Sequence, residues 1–189
     1  MIKNHALKSI AEIISGYSFR SATSNFPSGN TFILQSRSIR NDMSLDLHNG
    51  LSFNVGDIKT KAFTEINDVL VGSKGNPTIG YVESDEKILV SSSMYIIRVT
   101  DDAVLPKYLA IYFNSSNGQR ELNRITLGGY IKGISKTNLE VLAIPIPSKE
   151  IQEKIVSLHD NIVKQKGLLD RRSEIDSKIL DYTLDHLSF

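Results

Sequence analysis

Cysteine and tryptophan are absent from the 189 residues, and proline (5) and methionine (3) are scarce. Without cysteine there is no disulfide framework and no thiolate metal site, which agrees with an intracellular protein. Nowhere do eighteen apolar residues run together, so no membrane span is expected, and the mildly amphipathic N-terminus lacks the layout of a secretion signal. The chain reads as soluble and cytoplasmic. Strong net charge is missing too: the formal charge is +1, too small to mark a protein devoted to polyanions at large, so the distribution of charge matters more than its sum.

Catalytic signatures are also lacking. Gly75 to Gly80 has the glycine spacing of a phosphate loop, but Tyr81 and Val82 stand where Lys and Ser/Thr must reach the phosphates. Asn76-Pro77-Thr78 hints at the Asn-Pro-Pro-aromatic tetrapeptide of amino-methyltransferases, without its second proline or its stacking ring. The four histidines (His5, His48, His159 and His186) are scattered, and none recurs with a carboxylate at metal-ligand spacing. Ser73-Lys74 and Ser135-Lys136 are adjacent in sequence, and adjacent side chains rarely face each other as nucleophile and base must. Asp85-Glu86 and Asp101-Asp102 look like acidic turns. No enzyme, no metal and no cofactor is expected.

What the sequence does have is a long helical stretch. After Ile144-Pro145-Ile146-Pro147, whose prolines keep the backbone extended, Ser148 is expected to cap a helix that runs without a further proline to the end. Ile151, Ile155, Leu158 and Ile162 recur at steps of four and three, the spacing of one helix face. The stripe weakens through Gln165 to Glu174, keeping Leu169, and returns with Ile175, Ile179, Tyr182 and Leu187. About 38 residues at 1.5 Å each make a rod of roughly 55–60 Å, nearly twice a small domain's diameter. Most of its apolar face must outrun the globule and seek another helix. Gln165, Arg172 and Asp176 interrupt the seam, and polar seam residues fix register at a cost in stability. The alternative is a helix bent at Gly167 and folded back on its own domain.

The first 147 residues read as the globule and residues 148–189 as the helix. An α+β class is expected, with a small mixed sheet and short helices in the globule. Leu7 to Ile14 reads as a short helix or turn ending at Gly16, followed by strand from Tyr17 to Thr23. Further strands are read at Thr31 to Leu34, Leu51 to Val55, Val69 to Gly72, Leu89-Val90 and Met94 to Val99. Gly72 to Pro77 is turn chemistry leading into a strand. Pro106 starts a helix with Tyr108, Leu109, Tyr112 and Phe113 on one face, ending near Asn117-Gly118. A second helical piece covers Gln119 to Ile125, the Gly128-Gly129 break follows, and Ile131 to Ile134 pairs in a sheet. Ser135 to Leu139 is a capped turn before Val141 to Ile146.

Two windows are locally basic. Arg20 to Arg40 holds three arginines and no acid, among many Ser, Thr, Asn and Gln. Gln119 to Lys136 holds Arg120, Arg124, Lys132 and Lys136 against Glu121 alone. Both have the composition of phosphate-contacting loops, as exposed loops often do.

The order DVLVGSKGNPTIGYV, LPKYLAIYFNS and LGGYIKGISKTNLEVLAIPIPSKEIQEKIVSLHDNI resembles one target-recognition domain and one conserved helical region of the specificity (S) subunit of Type I restriction-modification systems. The last block is the most specific, with its glycine loop, Ile134-Ser135, Leu139, Leu142, the Ile-Pro-Ile-Pro run and a helix start holding Glu150, Gln152 and Glu153. The resemblance covers most of the chain from about Gly16. The family usually carries two such halves in tandem and this chain carries one, so a half-subunit is implied.

The resemblance implies a non-catalytic DNA-recognition subunit that pairs with a copy of itself through antiparallel helices and reads an inverted-repeat bipartite site in double-stranded DNA. Ile151, Ile155, Leu158, Ile162, Leu169, Ile175 and Ile179 would form the dimer helix seam. Methyltransferase (M) subunits, and restriction (R) subunits beyond them, would dock on the pair. A truncated relative that binds M or S subunits without reading DNA is the alternative. No family motif assigns the DNA-reading residues, and side-chain chemistry suggests them instead. Gln35, Ser36, Arg37 and Arg40 in the first basic loop, Lys74, Asn76 and Thr78 in the turn, and Tyr130, Lys132 and Lys136 near the Gly-Gly break are the candidates. Arginine can fork onto guanine, Asn or Gln onto adenine, and lysine suits phosphate.

Overall fold

Residues 3–19, 28–47, 51–53, 58–127 and 133–187 are described by a computed structural model of the chain. The centre is a four-stranded antiparallel sheet built from β2 (Ala11–Ser15), β8 (Met94–Val99), β5 (Val69–Gly72) and β6 (Ile79–Tyr81), in that spatial order. Successive strand residues point to opposite faces, and here both faces are apolar. Ile13, Val69, Val71 and Ile97 turn to one core, while Ile14, Leu70, Met94 and Ile96 turn to another.

The first core is closed by α1 (Pro106–Asn114), α2 (Ser116–Arg124) and α3 (Lys136–Glu140), which contribute Leu109, Ala110, Phe113, Leu122 and Leu139. The second is closed by a three-stranded sheet in which β3 (Ser28–Leu34) pairs antiparallel with β4 (Leu51–Phe53) and parallel with β7 (Leu89–Val90), contributing Leu34 and Val90. A sheet buried on both sides explains why Val69–Gly72 reads as an unbroken apolar run instead of an alternating one. Two short ribbons complete the globule: β1 (Lys3–Ala6) with β11 (Ala143–Ile146), and β9 (Thr126–Leu127) with β10 (Gly133–Ile134).

The N-terminal segment departs from the sequence reading. Leu7–Ser9 is a single 3-10 turn and Ala11–Ser15 is strand, so the helix-like recurrence of Leu7, Ile10, Ile13 and Ile14 is overridden by a five-residue pairing with β8. Tyr17 makes one bridge to Ser91, and the rest of the strand read through Thr23 lies outside the described residues. The Pro106 helix also ends earlier than expected, at Asn114. Ser115 breaks the chain direction and caps α2 by accepting from Gly118 N at 3.2 Å. Gly118 is required there, since a Cβ would overlap the carbonyl of Tyr112.

A single helix, α4 (Lys149–His186), leaves the globule. Its root is held by Gln152, whose side chain is 0 % exposed. Gln152 Oε1 accepts from Leu105 N at 2.8 Å, and Nε2 donates to Ala103 O and Pro147 O, both at 2.9 Å. One amide thus ties the turn before α1 to the chain entering α4. Ser148 occupies the cap position, but its hydroxyl caps nothing; its carbonyl accepts from Ile151 N and Gln152 N instead. Two turns on, Lys107 Nζ lies between Glu83 (2.9 Å) and Asp160 (3.0 Å). Burial opposes the charge on Lys107, but the bonds it donates to both carboxylates outweigh it and raise its pKa. Tyr108 donates to Pro145 O at 2.6 Å, and burial lifts its pKa to about 12.

Past Val163 every described residue of α4 is exposed. The rod projects and does not bend back at Gly167.

Candidate nucleic-acid interface and projecting helix

At one end of the central sheet, three loops that are distant in sequence meet. The turn between β5 and β6 carries Lys74, Gly75, Asn76 and Thr78. Gly75 has φ +73°, a left-handed conformation that favours glycine, and Lys74 to Asn76 are exposed. The turn closes through Gly72 N donating to Thr78 O at 2.8 Å. Beside it stands the 3-10 turn Ser36–Ser38 with Gln35 ahead of it. The two are close enough that a Cβ on Gly72 would lie 2.5 Å from Thr78 Oγ1 and 3.1 Å from Ser36 Oγ. On the other side, Lys74 bridges Gly133, and Ile134 N donates to Ser73 O at 2.9 Å.

Gln35, Ser36, Lys74, Asn76 and Thr78 therefore share one end of the fold, with Arg37 exposed on the neighbouring turn. Thr78 Oγ1 is buried with no hydrogen-bond partner. Lys136 begins α3 just after β10, 3.8 Å from Glu140, and Ser135 caps that helix by accepting from Asn138 N at 3.1 Å. Tyr130 and Lys132 lie outside the described residues. Arg40 sits apart from the group: it is paired with Asp46 at 3.2 Å and borders a groove with Val163, Lys166, Gly167 and Asp170 of α4.

This end of the sheet offers amide, hydroxyl and ammonium groups on short turns. Such groups can bond base edges and phosphates, and turns presented by a rigid sheet hold them at fixed positions. Among the described residues no cluster of three His, Cys, Asp or Glu could hold a metal, and no helix is long and apolar enough to cross a membrane.

The second feature is the apolar row along α4. Ile151 (47 %), Leu158 (62 %), Ile162 (55 %), Leu169 (65 %), Ile175 (48 %) and Ile179 (58 %) are all exposed, and Ile155 is half-buried. The side turned to the globule is separate, formed by Gln152, Val156, His159 and Val163. A groove of about 290 Å³ runs between that side and Asp42, Tyr81 and Lys107. The Gln152 clasp was not legible as such in the sequence, where Gln152 stands only as one residue of the helix start that carries the resemblance.

Comparison with known proteins bears on the fold and the family. Solved structures match most of the chain. The HsdS subunit from Thermoanaerobacter tengcongensis matches with a TM-score of 0.63 at 19 % identity, over 90 % of this chain and 39 % of that one. The Type I restriction-modification S subunit from M. genitalium matches with a TM-score of 0.63 at 18 % identity, over 96 % and 44 %. A chain from a structure of complex assembly and conformational transition in a type I R-M system gives 0.67 at 18 %, over 96 % and 43 %. This chain thus spans about four-tenths of the length of those proteins. No curated protein matches the sequence. The family described as Type I restriction modification DNA specificity domain matches residues 2–174, and the chain belongs to that family.

Proposed function

We propose that the chain is a DNA-specificity half-subunit of a Type I restriction-modification system. Residues 1–147 form a target-recognition domain, and residues 148–189 form a spacer that pairs with the same helix of a second copy as an antiparallel coiled coil. The pair reads an inverted-repeat, bipartite site in double-stranded DNA and docks methyltransferase subunits, with restriction subunits beyond them. The covalent chemistry belongs to those partners.

The observation that carries this reading is the row of exposed isoleucine and leucine side chains on a helix that leaves its globule. In a lone soluble domain such a row is a liability, and pairing with an identical row removes it. For base and phosphate contacts the reading uses Gln35, Ser36, Arg37, Lys74, Asn76 and Thr78, with Lys136 at the margin. Tyr130 and Lys132 stay candidates on their residue types alone. Arg40, paired beside α4, supports the alternative of a module that binds M or S subunits without productive reading.

The test is selection from a random duplex library by the purified chain, with and without its methyltransferase subunit. Enrichment of two inverted half-sites at a fixed gap is expected. Stable binding to the methyltransferase subunit without any enriched sequence would favour the interaction module.

A further inference from the structure

The apolar seam of α4 reads the same from both ends. From the root it runs Ile151, Ile155, Leu158, Ile162, Gln165 and Leu169, at alternating steps of four and three. From the tip it runs back through His186, Tyr182, Ile179, Ile175, Arg172 and Leu168 at the same steps. The two runs meet at Leu168 and Leu169, beside Gly167, where a Cβ would meet nothing within 4 Å. Continuing the root run unshifted would place Asp176 and Thr183 in the seam. The shift replaces them with Ile175 and Tyr182, as a three-residue slip in a heptad pattern does.

We infer that α4 pairs with a second copy in one register, with the two-fold axis passing between Leu168 and Leu169. This rests on the pairing proposed above and specifies it. In a two-fold interface, if one residue meets another, the reverse contact also occurs. Here Ile162 lies level with Ile175 of the second copy, Leu158 with its Ile179 and Ile155 with its Tyr182. Gln165 meets Arg172 in a polar layer on each side of the axis, and such layers fix register. The slip itself falls on the axis, where both copies carry it at the same height. The exposed apolar members of these layers, 47 % to 65 % exposed in the single chain, are all covered at once.

A rival register with its axis at Glu174 sets Leu168 against Leu180, Leu169 against Ile179 and Arg172 against Asp176. It strands Ile151, Ile155 and Leu158 beyond the last turn of the partner helix. The inferred register also sets a length: the two Gln152 roots stand 33 residues of helical rise apart, about 50 Å. That is the rise of about 15 base pairs at 3.4 Å each.

The chain has no cysteine, so single nitroxide labels can be attached cleanly at exposed positions through Lys154→Cys or Lys178→Cys. Dipolar spectroscopy of each labelled pair then reads the distance between copies. Axial separations of about 44 Å at 154 and about 29 Å at 178 are expected, from 1.5 Å per residue. About 60 Å and 12 Å would indicate the rival axis, and under about 20 Å at both a parallel pair; either overturns the register. An absence of coupling at both positions overturns the register and the pairing together. No DNA is needed, so the expected distances in a protein that enriches no sequence would leave the register standing and remove the reader.

Discussion

Substituting Ile162 by aspartate separates the rod from the globule. Ile162 is 55 % exposed in the single chain, so roughly half of its side chain remains to be buried by a partner. Full burial of an isoleucine contributes about 1.5–3 kcal/mol, so the remaining half contributes roughly 0.8–1.6 kcal/mol per copy, or about 1.6–3.2 kcal/mol over the two copies of the layer. At 1.4 kcal/mol per factor of ten, losing it weakens the pair about 15- to 200-fold. A carboxylate in an apolar layer adds to the loss unless it takes up a proton. The cost to the isolated globule is small, because Ile162 belongs to neither of its two cores. Sedimentation equilibrium over a concentration series reads the first effect, and thermal unfolding of dilute protein the second. A dissociation constant within threefold of the parent would refute the seam. A globule destabilised by more than about 1 kcal/mol would show that Ile162 packs against its own domain.

Other perturbations address other parts of the molecule. Gln152→Ala leaves Leu105 N–H, Ala103 C=O and Pro147 C=O without their partner and should cost about 2–4 kcal/mol in urea unfolding at unchanged helix content; a loss below 1 kcal/mol would mean that water replaces the amide. Asp68, 1 % exposed, accepts from Arg98 Nε at 2.9 Å, Arg98 Nη2 at 2.8 Å and Glu65 N at 2.7 Å. Asp68→Ala should cost about 2–4 kcal/mol, below the full value of a buried pair because Arg98 keeps some contact with water. Lys74→Ala should weaken DNA binding at every sequence and lower the salt slope by about 1, whereas Arg40→Ala should leave the slope unchanged, as anisotropy titrations between 50 and 200 mM salt would read. The reverse result would move the interface from the β5–β6 turn to the groove beside α4.

Elements whose signal is local were legible in the sequence: the alternation of Met94–Val99, the apolar run Val69–Gly72, the Pro106 helix start and the 3.6-residue period after Pro147. Elements fixed by distant partners were not. Leu7 to Ile14 has helical spacing, yet Ala11–Ser15 pairs with β8 eighty or more residues away, and no local pattern encodes that. Likewise, β1 is strand because β11 lies beside it. At the candidate interface, residue types suggested the chemistry, but only the fold shows which loops meet. Gln35 and Ser36 stand by Thr78, whereas Arg40, four residues on, is turned to α4 and paired with Asp46. Gln152 reads as one more polar helix residue until Leu105 and Ala103 are brought to it.

The proposed spacer needs direction as well as length. About 23 residues of α4 extend past Val163, roughly 35 Å, so a swing of 10° about Val163 would move the tip by about 6 Å, close to two base pairs of rise. The root is pinned accordingly at two heights. Gln152 ties the first turn to the backbone of three residues, and Lys107 holds Asp160 eight residues further along, about 12 Å up the axis. A single pin would leave a swivel, whereas two pins at different heights fix its tilt. Gln152 acts from the face that also bears Val156, His159 and Val163, and Asp160 from its flank away from Ile151, Leu158 and Ile162, which stay uncovered. One helix thus supports its own globule with one face and leaves the other exposed. Loops at the far end of the central sheet can then change in sequence without disturbing either face.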